Sequence, residues 1–154
     1  MATKRLQYPL NEFWVSIPYS KRDKKLGLGT FISNDRKAEV VSPHVGELVE
    51  VIKKGDSYEV WGKYKIGELY TYVSIYPLDA VIKEGNVIQN EVLGYTSANH
   101  IHIKTNVTKR DVINPSQLEY GFRDPLSCLY LYKHQDNRGN IPYCSPKINH
   151  IKAG

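Results

Sequence analysis

Leu48-Val49-Glu50-Val51-Ile52-Lys53-Lys54-Gly55-Asp56-Ser57-Tyr58-Glu59-Val60-Trp61 is the stretch on which the fold turns. Both arms are rich in β-branched and aromatic residues, and Gly55-Asp56 between them supplies turn chemistry, so the stretch predicts an antiparallel hairpin. Working outward, Glu39–Ser42 and Gly46–Lys53 read as strands. Gly67 precedes another at Glu68–Ile75, which Pro77 is expected to end. Asp79–Ile82 and Glu91–Tyr95 read as short strands around a Gly85-Asn86 turn, followed by His100–Lys104. Asn114-Pro115-Ser116-Gln117-Leu118 reads as a turn leading into a short helix. No long run repeats apolar residues at helical spacing. Short strands at this spacing predict an antiparallel all-β domain. From Tyr120 onward Pro125, Pro142 and Pro146 punctuate an irregular stretch. The expected organisation is therefore an N-terminal arm over 1–14, a β domain over 15–118 and a C-terminal extension over 119–154.

The 154 residues suffice for one domain with a core. Tyrosine dominates the aromatics, twelve against three Phe and two Trp, which suits half-wetted strand faces and contact surfaces. The net charge of +5 is uneven: residues 1–40 carry +4, 41–118 carry −1 and 119–154 carry +2. Lys21-Arg22-Asp23-Lys24-Lys25 is the densest basic cluster, and no aromatic–basic interleaving accompanies it. A nucleic-acid partner is therefore not expected, and the cluster reads as a solvated loop. Two cysteines, Cys128 and Cys144, do not make a disulfide scaffold. The first residues run into Tyr8-Pro9-Leu10 without an apolar stretch, so neither a signal peptide nor a membrane span is expected. The expected setting is a cytoplasm, or a particle assembled there.

His100-Ile101-His102 carries the chemistry worth weighing. On a strand, residues i and i+2 share a face, so two imidazoles project side by side. That pair suits a metal, or one ligand beside one acid–base group, or a plain polar face.

Taken in order, the pieces resemble the M23 family of zinc metallopeptidases, the lysostaphin-like or LytM-type fold. Val41-Ser42-Pro43-His44-Val45-Gly46-Glu47-Leu48 resembles the family's Ala-Pro-x-x-Gly-x-Val entry. Val81-Ile82-Lys83-Glu84-Gly85-Asn86-Val87-Ile88 resembles its Val-x-x-Gly-x-x-Val turn, and Leu93-Gly94 its Ile-Gly. His100-Ile101-His102-Ile103 is similar to its His-Leu-His-Phe strand, and Asn114-Pro115 to its closing Asp-Pro or Asn-Pro. The resemblance covers roughly residues 15–118. It implies an antiparallel β-sheet or sandwich of the duplicated hybrid-motif type.

The resemblance also implies site roles. His102 would be a zinc ligand and His100 the general base. Asp35 would keep a second ligand position, whereas Phe31 stands where the remaining His ligand is expected. In Tyr72-Val73-Ser74-Ile75, Ser74 replaces a His that supports the transition state. Catalytic zinc takes three protein ligands and keeps one position for water, so Asp35 and His102 alone leave the set incomplete. Loss of a donor aimed at a developing oxyanion costs about 3–4 kcal/mol of barrier. His44, His134 and His150 are the candidates for a replacement ligand, each with the plainer reading of a surface His. Trp14 and Trp61 read as packing residues ahead of glycan platforms.

The expectation is a catalytically inactive M23 peptidase-like module with a structural or binding role and no cofactor. Its expected partners are other protein subunits of an assembly, such as a bacteriophage tail or baseplate. The alternative is an enzyme: a zinc endopeptidase that holds one zinc ion and cleaves peptidoglycan cross-bridges.

Overall fold

The computed structural model describes residues 9–10, 14–17, 29–33, 37–118 and 122–123, with side chains over 9–10 and 37–118. The strands are β1 (Trp14–Ile17), β2 (Gly29–Ser33), β3 (Glu39–Val41), β4 (Gly46–Lys54) and β5 (Ser57–Ile66). They continue with β6 (Leu69–Val81), β7 (Gly85–Val87), β8 (Val92–Thr96), β9 (His100–Thr108) and β10 (Phe122–Arg123). A single 3-10 turn, Pro115–Gln117, is the only helical element among the described residues. All pairings are antiparallel within one sheet, in the order β1-β2-β9-β6-β5-β4-β7, with β10 beside β9 and β3–β8 branching from β6. The fold is all-β, as the hairpin stretch predicts.

That hairpin is β4–β5, paired from Glu47 with Lys63 to Lys54 with Ser57. Gly55 has φ +64 in the two-residue connection, a conformation that Gly adopts without the steric cost of a Cβ. Pro77 does not end β6. The strand runs on to Val81 because its pairing partner changes there: Tyr70–Tyr76 pair with β9, and Leu78–Val81 pair with β8. A proline that donates no ladder bond is tolerated at such a handover. Gly85-Asn86 likewise lies in β7, which pairs with Gly46–Leu48 of β4.

The core fills one face of the sheet. Ile101 and Ile103 of β9, Val73 and Ile75 of β6, and Val60 and Tyr64 of β5 are at most 1% exposed. Leu10, in the stretch expected to be an arm, joins this core, and its neighbour Pro9 accepts a hydrogen bond from the Val41 amide. Phe122 and Arg123, in the expected extension, pair with Asn106 and Thr105. Cys128, Cys144, His134 and His150 lie outside the described residues.

Tyr64 shows how tightly the core is shaped. Its ring lies across Gly62 and Gly46, and a Cβ on Gly62 would stand 2.6 and 2.8 Å from two of its ring carbons. Burial pushes the phenol up to about 12, while a hydrogen bond with Ser42 pulls the other way. Gly62→Ala is therefore expected to cost on the order of 1–3 kcal/mol through overpacking. The cost should shrink in a Tyr64→Leu background, where the slot is vacant. Urea denaturation of both single variants and the double variant measures this, and strictly additive losses would refute the clash.

Candidate functional site

Strand alternation that sends Ile101 and Ile103 into the core sends His100, His102 and Lys104 to the opposite face. Cross-strand pairing brings that face together. His102 stands opposite Tyr76 of β6 and Phe31 of β2, and Lys104 opposite Ser74. Ser74 is opposite Trp61 of β5, whose strand also places Glu59 on this side, two residues away.

Glu59 is the centre of the arrangement, and the strand pattern alone did not single it out. Its side chain is only 3% exposed. The Ser74 hydroxyl donates to Glu59 Oε2 at 2.7 Å. Lys54 Nζ lies 3.2 Å from Oε1, and Lys104 Nζ 3.7 Å from Oε2. Burial raises the carboxyl, but the Ser74 hydrogen bond and the charges of Lys104 and Lys54 outweigh it and hold Glu59 below its ordinary value. Lys54 also lies 5.1 Å from the centre of the Tyr76 ring, within cation–π range. Ser74 is thus more than a plain strand serine: it is 1% exposed and fixes a buried carboxylate.

His102 borders this cluster. Desolvation first, then the charge of Lys104, push its imidazole down to about 4, against a smaller pull from Glu59. His100 sits two residues earlier, with Nδ1 3.5 Å from the Asn99 side-chain oxygen. His44 lies in the loop between β3 and β4, its Nδ1 3.0 Å from the Val45 carbonyl oxygen. Asp35 lies outside the described residues, and Phe31 is described only through its backbone pairing.

One wall of the site comes from the chain after β9. Asp111 pairs with Lys63 at 3.0 Å, and the Val112 amide donates to the Tyr72 hydroxyl at 2.6 Å. Ser116 donates through its amide and hydroxyl to Glu50 at 3.0 and 2.7 Å. These anchors span β4, β5 and β6, and Trp61 between them is 1% exposed, the packing role the sequence suggested.

A zinc site needs convergent neutral or anionic donors. Among the described residues no three His, Cys, Asp or Glu side chains converge. The carboxylate beside His102 is saturated by a hydroxyl and two ammonium groups, and those positive charges oppose a divalent cation. The described donor set does not fit zinc.

Comparison with known proteins bears on the fold. No family model matches the sequence, and no curated protein matches it. Solved structures do match. The chain is similar to a structure of the SpoIIQ-SpoIIIAH pore forming complex, with TM-score 0.56, 17% identity, 81% of this chain and 90% of that chain covered. It is also similar to lysostaphin in solution, with TM-score 0.60, 16% identity and 95% of this chain covered. Against lysostaphin from Staphylococcus simulans, an antimicrobial peptidase, the TM-score is 0.55 at 16% identity over 82% of this chain. The chain spans 61% and 54% of those two lysostaphin chains. At these identities the likeness shows a lysostaphin-like fold.

The buried imidazole makes stability depend on pH. Between pH 6.5 and about 4 an unfolded chain takes up a proton that folded His102 refuses, so stability falls as pH falls through that window. The loss is up to about 3 kcal/mol. Glu59, held low in the fold, contributes stability above the unfolded value of 4.5 that is lost as pH drops further. Urea midpoints between pH 7 and pH 4 should therefore decline. His102→Gln should flatten the upper part of the decline, and an unchanged slope in that variant would exclude His102 as its source.

Proposed function

We propose that this protein is a non-catalytic, M23-like β domain that serves as a structural or binding module. The observation that carries the reading is the buried Glu59, held by Ser74, Lys54 and Lys104 beside His102. An ion cluster occupies the face on which the resemblance would place a metal and its water. Phe31 opposite His102 and Ser74 opposite Lys104 support it, since each stands where hydrolytic chemistry would need an imidazole. In this reading His100 and His102 are relics on a polar strand face, and Asp35 and His102 hold no metal.

The partner is another protein. The similar structure of the SpoIIQ-SpoIIIAH complex contains one fold of this kind within an assembly, and that precedent is carried here as part of the proposal. The bacteriophage tail or baseplate setting, with synthesis in a cytoplasm, rests on the sequence reasoning alone. No described helix is long and apolar enough to cross a membrane.

Elemental analysis after dialysis against trace zinc, run beside a cell-wall clearing assay, tests the reading. Well under one zinc per chain and no clearing are expected, with His102→Ala indistinguishable from the unaltered protein. About one tightly held zinc, with clearing that His102→Ala abolishes, would establish the zinc endopeptidase of peptidoglycan cross-bridges instead.

A further inference from the structure

One edge of β4 is open over part of its length. Among the described residues, Gly46, Glu47 and Leu48 pair with β7 on that edge, whereas from Glu50 to Lys54 the strand pairs with β5 alone. β7 begins at Gly85, opposite Leu48, where a φ of +70 lets the incoming chain turn. Val51 is 45% exposed, the Lys54 side chain 44%, and Lys53 is exposed between them. A two-residue turn is closed by a hydrogen bond from the amide after it to the carbonyl before it, so Lys54 directs its backbone groups at Ser57. Bonded and non-bonded positions alternate along an antiparallel pair. Ile52 therefore also turns its amide and carbonyl toward β5, while Val51 and Lys53 turn theirs outward. Such a row of outward backbone groups is a template for one more strand.

We propose that this edge receives the same edge of a second copy of the chain, antiparallel across a twofold axis at Ile52. In one continuous sheet directly opposed residues share a face, so the axis passes through a residue and not between two. Centred on Lys53, the pairing would set two ammonium groups directly opposite each other. Centred on Val51, it would leave Glu50 against Ile52 and carry Lys54 toward Leu48, where β7 already lies. Centred on Ile52, Glu50 of each copy meets Lys54 of the other, Val51 meets Lys53, and Ile52 meets itself. Glu50 and Lys54 then form a non-bonded pair, the kind whose side chains approach most closely, while Val51 and Lys53 exchange the backbone hydrogen bonds. Lysines on an edge commonly deter strand addition, and the facing glutamate turns Lys54 into a contact instead. Glu50 also accepts from Ser116 and Lys54 also meets Glu59, and a carboxylate and an ammonium each have capacity for several partners. The Lys53 stem of the second copy comes to lie beside Val51, at a cavity of about 380 Å³ whose lining includes Val51, Tyr58, Val81, Asp79 and Glu84. The inference holds whether or not the His102 face carries a metal.

Sedimentation equilibrium of the full chain in reductant, from about 5 to 500 µM, is the test, a range suited to so small an interface. The apparent mass should climb from one chain toward two. Val51→Pro removes an outward amide at an edge position that tolerates proline, and should weaken association at least about tenfold. Glu50→Lys, which sets ammonium against ammonium at both ends of the pairing, should do the same. Urea midpoints check that each variant stays folded. The register is read by Ile52→Cys in a Cys128→Ser, Cys144→Ser background, because a non-bonded pair sets the two Cα atoms about 4.5 Å apart, within disulfide reach. Oxidation should cross-link that variant and leave Ile88→Cys, 66% exposed and outside the edge, as single chains. The mass of one chain at every concentration would overturn the proposal and leave the edge to a strand of another protein. A dimer indifferent to both Val51→Pro and Glu50→Lys would also overturn it, as would cross-linking of Ile88→Cys equal to that of Ile52→Cys. Should Val51→Pro unfold the chain, the cross-link at Ile52 decides alone.

Discussion

Everything on the functional face follows from one constraint, the register between β6 and β9. Ile75 stands opposite Ile103 and Val73 opposite Thr105, all at most 1% exposed on the core side. Strand alternation then leaves no choice about the other side: Ser74 must meet Lys104, and Tyr76 must meet His102. A slip of one residue would exchange the two sets, placing ammonium and imidazole in the core and isoleucines among the polar groups of the other face. Hydrophobic burial thus pins polar groups that make no hydrophobic contribution of their own. β5 extends the same logic, since Val60 and Tyr64 face the core while Glu59, Trp61 and Lys63 lie on the opposite face.

A buried carboxylate is costly unless its charge and lone pairs are met. Here both oxygens are met, from three different strands, by a hydroxyl and two ammonium groups. The cluster ties β4, β5, β6 and β9 together. A divalent cation beside His102 would meet the repulsion of Lys104 and Lys54, and neutral imidazole there suits a site that already carries its positive charge on lysines.

Much of this was legible in the sequence, and the reasons for the remainder are physical. The β4–β5 hairpin, the strand character of residues 39–104 and the shared face of His100 and His102 follow from local pattern, because strand periodicity and turn chemistry are local properties. The continuation of β6 through Pro77 was not legible. It depends on β8 replacing β9 as neighbour, and β9 is distant in sequence. Glu59 was missed for the same reason. Between Tyr58 and Val60 it reads as an ordinary outward residue, and its burial appears only when Ser74 and Lys104 arrive from other strands. The usable signal was the register itself. Placing Ser74 opposite Lys104 and Trp61 opposite Ser74 assembles the cluster on paper.

The pairing of β2 with β9 joins residues 29–33 to 100–104, about seventy positions apart, whereas β4, β5 and β6 are successive hairpin neighbours. The consequence concerns the order of assembly. Closing a long loop costs chain entropy before any contact rewards it, so distant strand pairs set the pace of folding. Lys54, Glu59 and Ser74 come together within the local meander. Lys104 and His102 arrive only when β9 docks. The carboxylate at the heart of the site therefore gains part of its compensation within the meander, and the remaining charge arrives with the imidazoles when β9 pairs with β6.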